Sequence, residues 1–191
     1  MNIHAYCISK VNGPGERFTL WTQGCSKGCK NCFNPETWSF AINKIMSVEE
    51  IFNIIKDLDV SGVTITGGDP FEQPEELFNL LLLLEGLNLS KGVIVFTGYT
   101  IDEINKDFLL RKSLSYIDVL IDGRFFEERR ISSGLRGSEN QNIIYFSNKV
   151  LPEELEIDQG VEIGLGNDNI YVTGFPSISR KFLKSLGVYL K

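Results

Sequence analysis

The chain has 191 residues, 42% of them hydrophobic and 11% aromatic, and a net charge of −6. With a pI near 4.9, that balance excludes a general basic surface for nucleic acid or an anionic membrane. The longest apolar run, Leu80 to Leu84, falls far short of the roughly 20 residues a membrane span needs, and no secretory leader pattern opens the chain. Four cysteines, three of them clustered, do not make the disulfide framework of a small secreted domain. The expectation is a cytoplasmic globular protein with a real core and no nucleic-acid or membrane partner.

In chain order, the β-branched and aromatic "RFTLWTQ" (17–23) predicts a strand. "SVEEIFNIIKDL" (47–58) predicts a helix, with Ser47 and Glu50 as a capping box and Val48, Ile51, Ile54, Ile55 and Leu58 on one face. "GVTITGG" (62–68) reads as a buried strand ending in glycines, followed by a helix with Pro74 in its first turn that runs through Leu84. "GVIVFTG" (92–98) is the next strand, Thr100 and Glu103 form a second capping box, and a helix covers about 101–112. "IDVLIDG" (117–123) and "NIIYF" (142–146) complete the strand pattern.

Strands alternating with helices predict βα units and a parallel sheet. About five such units are too few for a closed eight-unit barrel of roughly 250 residues. A partial, open barrel or an open doubly wound sheet remains. "VEIGLGNDNIYVTGFP" (161–176) reads as a hairpin turning through Gly166 to Asn169. Residues 178–190 read as a basic amphipathic helix, with Ile178, Phe182, Leu186 and Leu190 docked on the sheet and Arg180, Lys181 and Lys184 solvated.

Chemistry concentrates at Cys25, Cys29 and Cys32, a C-x3-C-x2-C pattern. Disulfides would strand an odd thiol. A structural zinc ion needs four closed ligands, and only Cys7 or His4 is left to complete the set. A [4Fe-4S] cluster held by three thiolates leaves one iron open to another ligand. Spacing alone leaves zinc and cluster both standing.

The surrounding motifs resemble those of radical S-adenosylmethionine (SAM) enzymes, and within them the glycyl-radical-activating branch. Asn12-Gly13-Pro14-Gly15 is similar to that branch's "DGPG", "QGC" ends the strand, and Asn34 to Trp38 reads "NPETW". Asn31 and Phe33 depart from the family pattern, which commonly has an aromatic before the third cysteine and His after it. "TGGDP" resembles the family's "GGEP", with Asp69 in place of Glu. "VFTGYT" (95–100), "DVLIDGRF" (118–125), "LRGSENQNII" (135–144) and "VTGFP" (172–176) resemble segments of the anaerobic ribonucleotide reductase activating enzymes, in the same order.

That resemblance implies a single radical SAM domain over 1–191, an α/β partial (β/α) barrel with a mostly parallel sheet. Its core would span about 1–147, with a C-terminal hairpin and helix extension over about 148–191. It implies that Cys25, Cys29 and Cys32 hold a [4Fe-4S] cluster, and that Thr66, Gly67, Gly68 and Asp69 bind the amino end of SAM. Asp122 and Arg124 fall where related activators contact the SAM carboxylate.

The implied reaction is reductive cleavage of SAM to methionine and a 5′-deoxyadenosyl radical, which takes hydrogen from a glycine Cα. Such abstraction needs exclusion of solvent rather than a tuned base. The implied partners are the large subunit of an anaerobic ribonucleotide reductase and a flavodoxin-like electron donor. Two alternatives stay open: a small radical SAM enzyme acting on another peptide or small molecule, and a non-catalytic iron–sulfur or zinc protein. His4 reads as structural, Cys7 as a small apolar strand residue, and "FFEERR" (125–130) as a solvated loop able to form a partner-facing rim.

Overall fold

The structure is a computed structural model that describes residues 1–156, 160–165, 170–174 and 189–190. β1 (Asn2–Ser9) and β2 (Arg17–Thr22) pair antiparallel, and the short β3 (Lys44–Ile45) joins the outer edge of β1. α1 (Val48–Lys56) then leads to β4 (Gly62–Gly67), α2 (Pro74–Leu84) to β5 (Val93–Phe96), and α3 (Ile101–Lys106) with α4 (Phe108–Lys112) to β6 (Val119–Asp122). β7 (Asn142–Tyr145) closes the sequence of strands in an open, seven-stranded sheet of order β3-β1-β2-β4-β5-β6-β7.

Within that sheet, only β2, β4, β5 and β6 run parallel. The five expected βα units therefore reduce to three helical crossovers. β7 is antiparallel to β6; the segment between them carries a 3-10 turn at Glu127–Arg129 and none of the long crossover helices that accompany the parallel strands. The single helix expected over 101–112 breaks at Asp107. Its carboxylate accepts the Leu109 and Leu110 N–H groups and so starts a second helix. Both capping boxes form as their sequences specify, Ser47 with Glu50 and Thr100 with Glu103.

Strand alternation sorts the core into two faces. Phe18, Leu20, Val63, Ile65, Val93, Val95 and Leu120 point to the side where Ile51, Ile55, Leu77, Leu81, Ile104 and Leu110 of the helices pack. Among the described residues every long helix thus lies on one face, which removes the doubly wound alternative for the part of the chain they cover. The opposite face carries Ile94, Val119 and Ile121, packed with Leu135, Val150 and Leu155; the last belongs to α5 (Pro152–Leu155).

Arg17 pins the amino end of the sheet. It is wholly buried, and its guanidinium donates to the carbonyls of Pro14, Lys91, Val63 and Gly92 and to the Thr64 hydroxyl. Burial pulls its pKa down to about 9, against the pull of Asp118 and Glu154, so it stays charged at neutral pH.

β8 (Val161–Leu165) and β9 (Ile170–Gly174) form the expected hairpin, antiparallel in register. Its turn, Gly166 to Asn169, lies outside the described residues, as does most of the 178–190 segment. At the end of that segment, β10 (Tyr189–Leu190) pairs parallel with β9, so Leu190 is in a strand and not on the expected helical stripe. Strand pairing with β9 replaces helix docking there.

Candidate active site

The carboxyl ends of β2, β4, β5 and β6 share one edge of the sheet, the edge where open α/β sheets bind ligands. The loop leaving β2 carries the three cysteines, the loop leaving β4 carries Gly68 and Asp69, and Gly123 and Arg124 follow β6.

Main-chain hydrogen bonds knit the first two loops together. Gly68 N–H donates to the Thr22 carbonyl at 2.8 Å and Asp69 N–H to the Gly24 carbonyl at 2.9 Å. Gly24 N–H in turn reaches the Thr37 carbonyl at 2.7 Å, and Cys25 N–H the Trp38 carbonyl at 3.1 Å. The "QGC", "NPETW" and "TGGDP" segments are therefore one packed unit. A Cβ on Gly68 would collide with the Gly24 carbonyl and lie 2.9 Å from the Thr37 oxygen. Close backbone approach is what the glycine serves here, and the approaching group is the root of the cysteine loop.

Within the loop, Lys27 N–H donates to Cys25 Sγ and Asn34 N–H to Cys32 Sγ, both at 3.4 Å, and Cys32 N–H reaches the Cys29 carbonyl at 3.1 Å. Asn31 sits at φ 55°, a left-handed conformation that Asn tolerates better than an aromatic residue. All three cysteines are half-buried and outside any disulfide. The Cys25 thiol is pushed up to about 11, by burial first and then by Asp69, Cys32 and Cys29, while the Lys27 amide opposes the shift.

Two side chains that have no local sequence signal hold the loop from outside. Glu72 accepts from the Ser26 N–H (3.2 Å), the Ser26 hydroxyl and the Tyr99 hydroxyl (3.4 Å). The Lys27 ammonium stands 3.1 Å over the Tyr99 ring. On the other side of the loop, Phe33 packs on Phe125 with ring centroids 5.0 Å apart, and the Arg130 guanidinium lies 4.8 Å over Phe33. Trp21, Phe33, Thr66, Phe96, Phe125 and Gln141 line a cavity of about 100 Å³ beside these rings.

Of the remaining expected site residues, Thr66 is half-buried on the cavity wall, with its carbonyl accepting from the Thr22 hydroxyl. Asp69 is wholly buried, and its carboxylate accepts from Phe71 N–H (3.1 Å), the Thr97 hydroxyl (2.8 Å) and Gly98 N–H (2.8 Å). Burial raises its pKa to about 6 against those three donors and Lys27. Asp122 is also wholly buried, engaged by Ile101 N–H (2.6 Å) and the Asn142 side-chain amide (2.8 Å). Arg124 is exposed, and its carbonyl is held by Asn140. Gln141 fastens the same loop: its amide donates to the Gly123 carbonyl, and its oxygen accepts from Gly137 and Ser138. That buckle explains why "LRGSENQ" and "DGRF" occur together.

Three half-buried thiols outside any disulfide, on one main-chain-fixed loop, fit a [4Fe-4S] cluster in which three of the four irons each take one cysteine. Among the described residues, no three His, Cys, Asp or Glu side chains converge on a single-ion site. His4 Nδ1 is engaged with Gln23 Oε1 at 3.0 Å, and Cys7 sits within β1 opposite Thr19.

A family model described as the 4Fe-4S single cluster domain matches residues 11–144, which include the whole knitted unit. The anaerobic ribonucleoside-triphosphate reductase-activating protein of Vibrio cholerae is 39% identical over 158 residues, 77% of this chain and 99% of its own. This chain belongs to that family. The activating proteins of Pasteurella multocida and Escherichia coli K12 agree, at 38% and 34% identity over 97% and 96% of their lengths. Against the activating proteins' nearly complete coverage, about a quarter of this chain lies outside each alignment.

Proposed function

We propose that this chain activates an anaerobic ribonucleoside-triphosphate reductase by SAM-dependent formation of a glycyl radical on the reductase. The observation that carries the reading is the cysteine loop, locked by main-chain bonds to the Gly68–Asp69 turn at the carboxyl edge of the sheet. Cys25, Cys29 and Cys32 would hold the [4Fe-4S] cluster. When bound, it supplies the electron that cleaves the SAM sulfonium bond to give the hydrogen-abstracting 5′-deoxyadenosyl radical.

The protein's own work is binding, orientation and exclusion of water. Thr66, Gly67 and Gly68 offer main-chain groups to the amino end of SAM, with Asp69 bracing their turn from below. The exposed guanidinium of Arg124 is the candidate anchor for the SAM carboxylate, while Asp122 fixes the start of α3. The aromatic wall of Trp21, Phe33, Phe96 and Phe125 keeps solvent from the abstraction path.

The parallel run β2-β4-β5-β6, with the described helices of that run on one face, supports reading the sheet as a partial (β/α) barrel, and we assign the whole chain to one such domain. β3 and β7 end the sheet without pairing to each other, and such an open barrel would give a polypeptide loop lateral access. Among the described residues no helix is long and apolar enough to cross a membrane. A flavodoxin-like protein is the proposed electron source and the cytoplasm the proposed setting. Anaerobic reconstitution tests the assignment: the protein should take up one [4Fe-4S] cluster and, once reduced, release methionine and 5′-deoxyadenosine from SAM. A zinc-loaded protein without SAM cleavage contradicts it.

A further inference from the structure

We propose that Asp69 and Lys27 set the reduction potential of the cluster in opposite directions, Asp69 holding it low and Lys27 raising it. The inference rests on the assignment of Cys25, Cys29 and Cys32 as cluster ligands.

A reduced cluster carries one more negative charge than an oxidised one, so any fixed charge nearby biases the couple, most strongly where water is excluded. Asp69 is a fixed charge of that kind. It is wholly buried, its own N–H is bonded to the residue preceding Cys25, and its carboxylate is met by three donors. The Thr97 hydroxyl that donates to it accepts from Tyr99 N–H at 3.1 Å, so its proton is committed to the carboxylate. The three donors favour the ionised form and oppose the rise that burial causes, so at pH 8 the group is a carboxylate.

Lys27 supplies the counter-charge. It lies two residues beyond Cys25, and the Tyr99 ring fixes its ammonium. Its stem and the Asp69 Oδ2 atom both flank Gly98, whose absent side chain leaves room for them. Among the described residues its ammonium has no carboxylate within salt-bridge distance, so its charge is directed at the loop by the ring and not by an ion pair.

Neither residue touches the reacting atoms in this account; both act through the cluster's environment as positioning residues. The test is an electron paramagnetic resonance redox titration at pH 8 of the reconstituted protein alone, without SAM or reductase, with iron content measured in parallel. Asp69→Asn should raise the potential and Lys27→Gln should lower it, at iron content equal to the parent's. Unchanged potentials in both variants, or shifts of the same sign, overturn the proposal while leaving the cluster assignment intact. If Asp69→Asn does not load iron, the half-exposed Lys27→Gln decides alone: a lower potential supports the proposal, and an equal or higher one overturns it. Failure of the parent chain to bind a cluster is a separate result, and it defeats the proposed function itself.

Discussion

Asp69 and Gly24 meet through a single main-chain hydrogen bond of 2.9 Å, from the Asp69 amide to the Gly24 carbonyl. That bond ties the turn after β4 to the residue before Cys25, the first cysteine of the triad. Two motifs 40 residues apart in sequence thereby become one rigid unit, and the site's geometry depends on their contact surface staying free of side chains.

Gly68→Ala tests that dependence. The added methyl would collide with the Gly24 carbonyl, and overpacking of this kind costs about 1–3 kcal/mol. The urea midpoint should fall, and iron uptake should fall with it. Gly86→Ala, at a position with its nearest neighbouring atom 3.5 Å away, should leave iron uptake unchanged.

At the opposite end of the sheet, Arg17→Met should destabilise the fold without touching the site. Two buried and two part-buried carbonyls lose a charged donor, and the expected loss is on the order of 3–5 kcal/mol by chemical denaturation. Cluster content per folded molecule should be unchanged.

Cys7→Ala and Cys29→Ala separate the three-thiolate site from any four-ligand alternative. Cys7 belongs to the middle of β1, in register with Thr19, so its replacement should leave the cluster's absorbance and iron content intact. Cys29→Ala should abolish both. Loss of the cluster in Cys7→Ala would mean a fourth protein ligand and no open iron.

The cap of α3 gives a pH-dependent prediction. Glu103 accepts from the Thr100 N–H and hydroxyl, which hold its carboxyl below the ordinary glutamate range. A folded value below the unfolded one means that the stabilisation is present above the ordinary range and lost as pH falls through the folded value. Glu103→Gln should therefore have a lower Tm than the parent at neutral pH, with the two curves converging in acid. Thr100→Ala should cost about 1 kcal/mol at neutral pH.

Local signals were readable because their physics is local. Both capping boxes, Pro74 at the start of α2 and the glycine-ended β4 follow from neighbouring residues satisfying one another's amides or dihedral needs. The cysteine triad stands out in the sequence by its clustering, but spacing alone leaves zinc and cluster both standing, and the flanking motifs carry the cluster reading. What stayed hidden depends on distant partners. An arginine opening a strand gives no sign that five acceptors will surround it, as they do Arg17. The resemblance puts Asp122 beside Arg124 near the SAM carboxylate, and nothing local in the sequence tells that Ile101 and Asn142 also engage its carboxylate. The antiparallel entry of β7 reflects a loop without a long helix, and the pairing of Tyr189 and Leu190 with β9 is a tertiary choice that helical spacing of apolar residues cannot register.

The central claim is the radical transfer itself. The reconstituted chain, chemically reduced under anaerobic conditions, should be mixed with SAM and an anaerobic ribonucleoside-triphosphate reductase, and the frozen sample examined by electron paramagnetic resonance. The account predicts a glycyl-radical doublet on the reductase that disappears when SAM is omitted or Cys29 is replaced. SAM cleavage with no such doublet would contradict it.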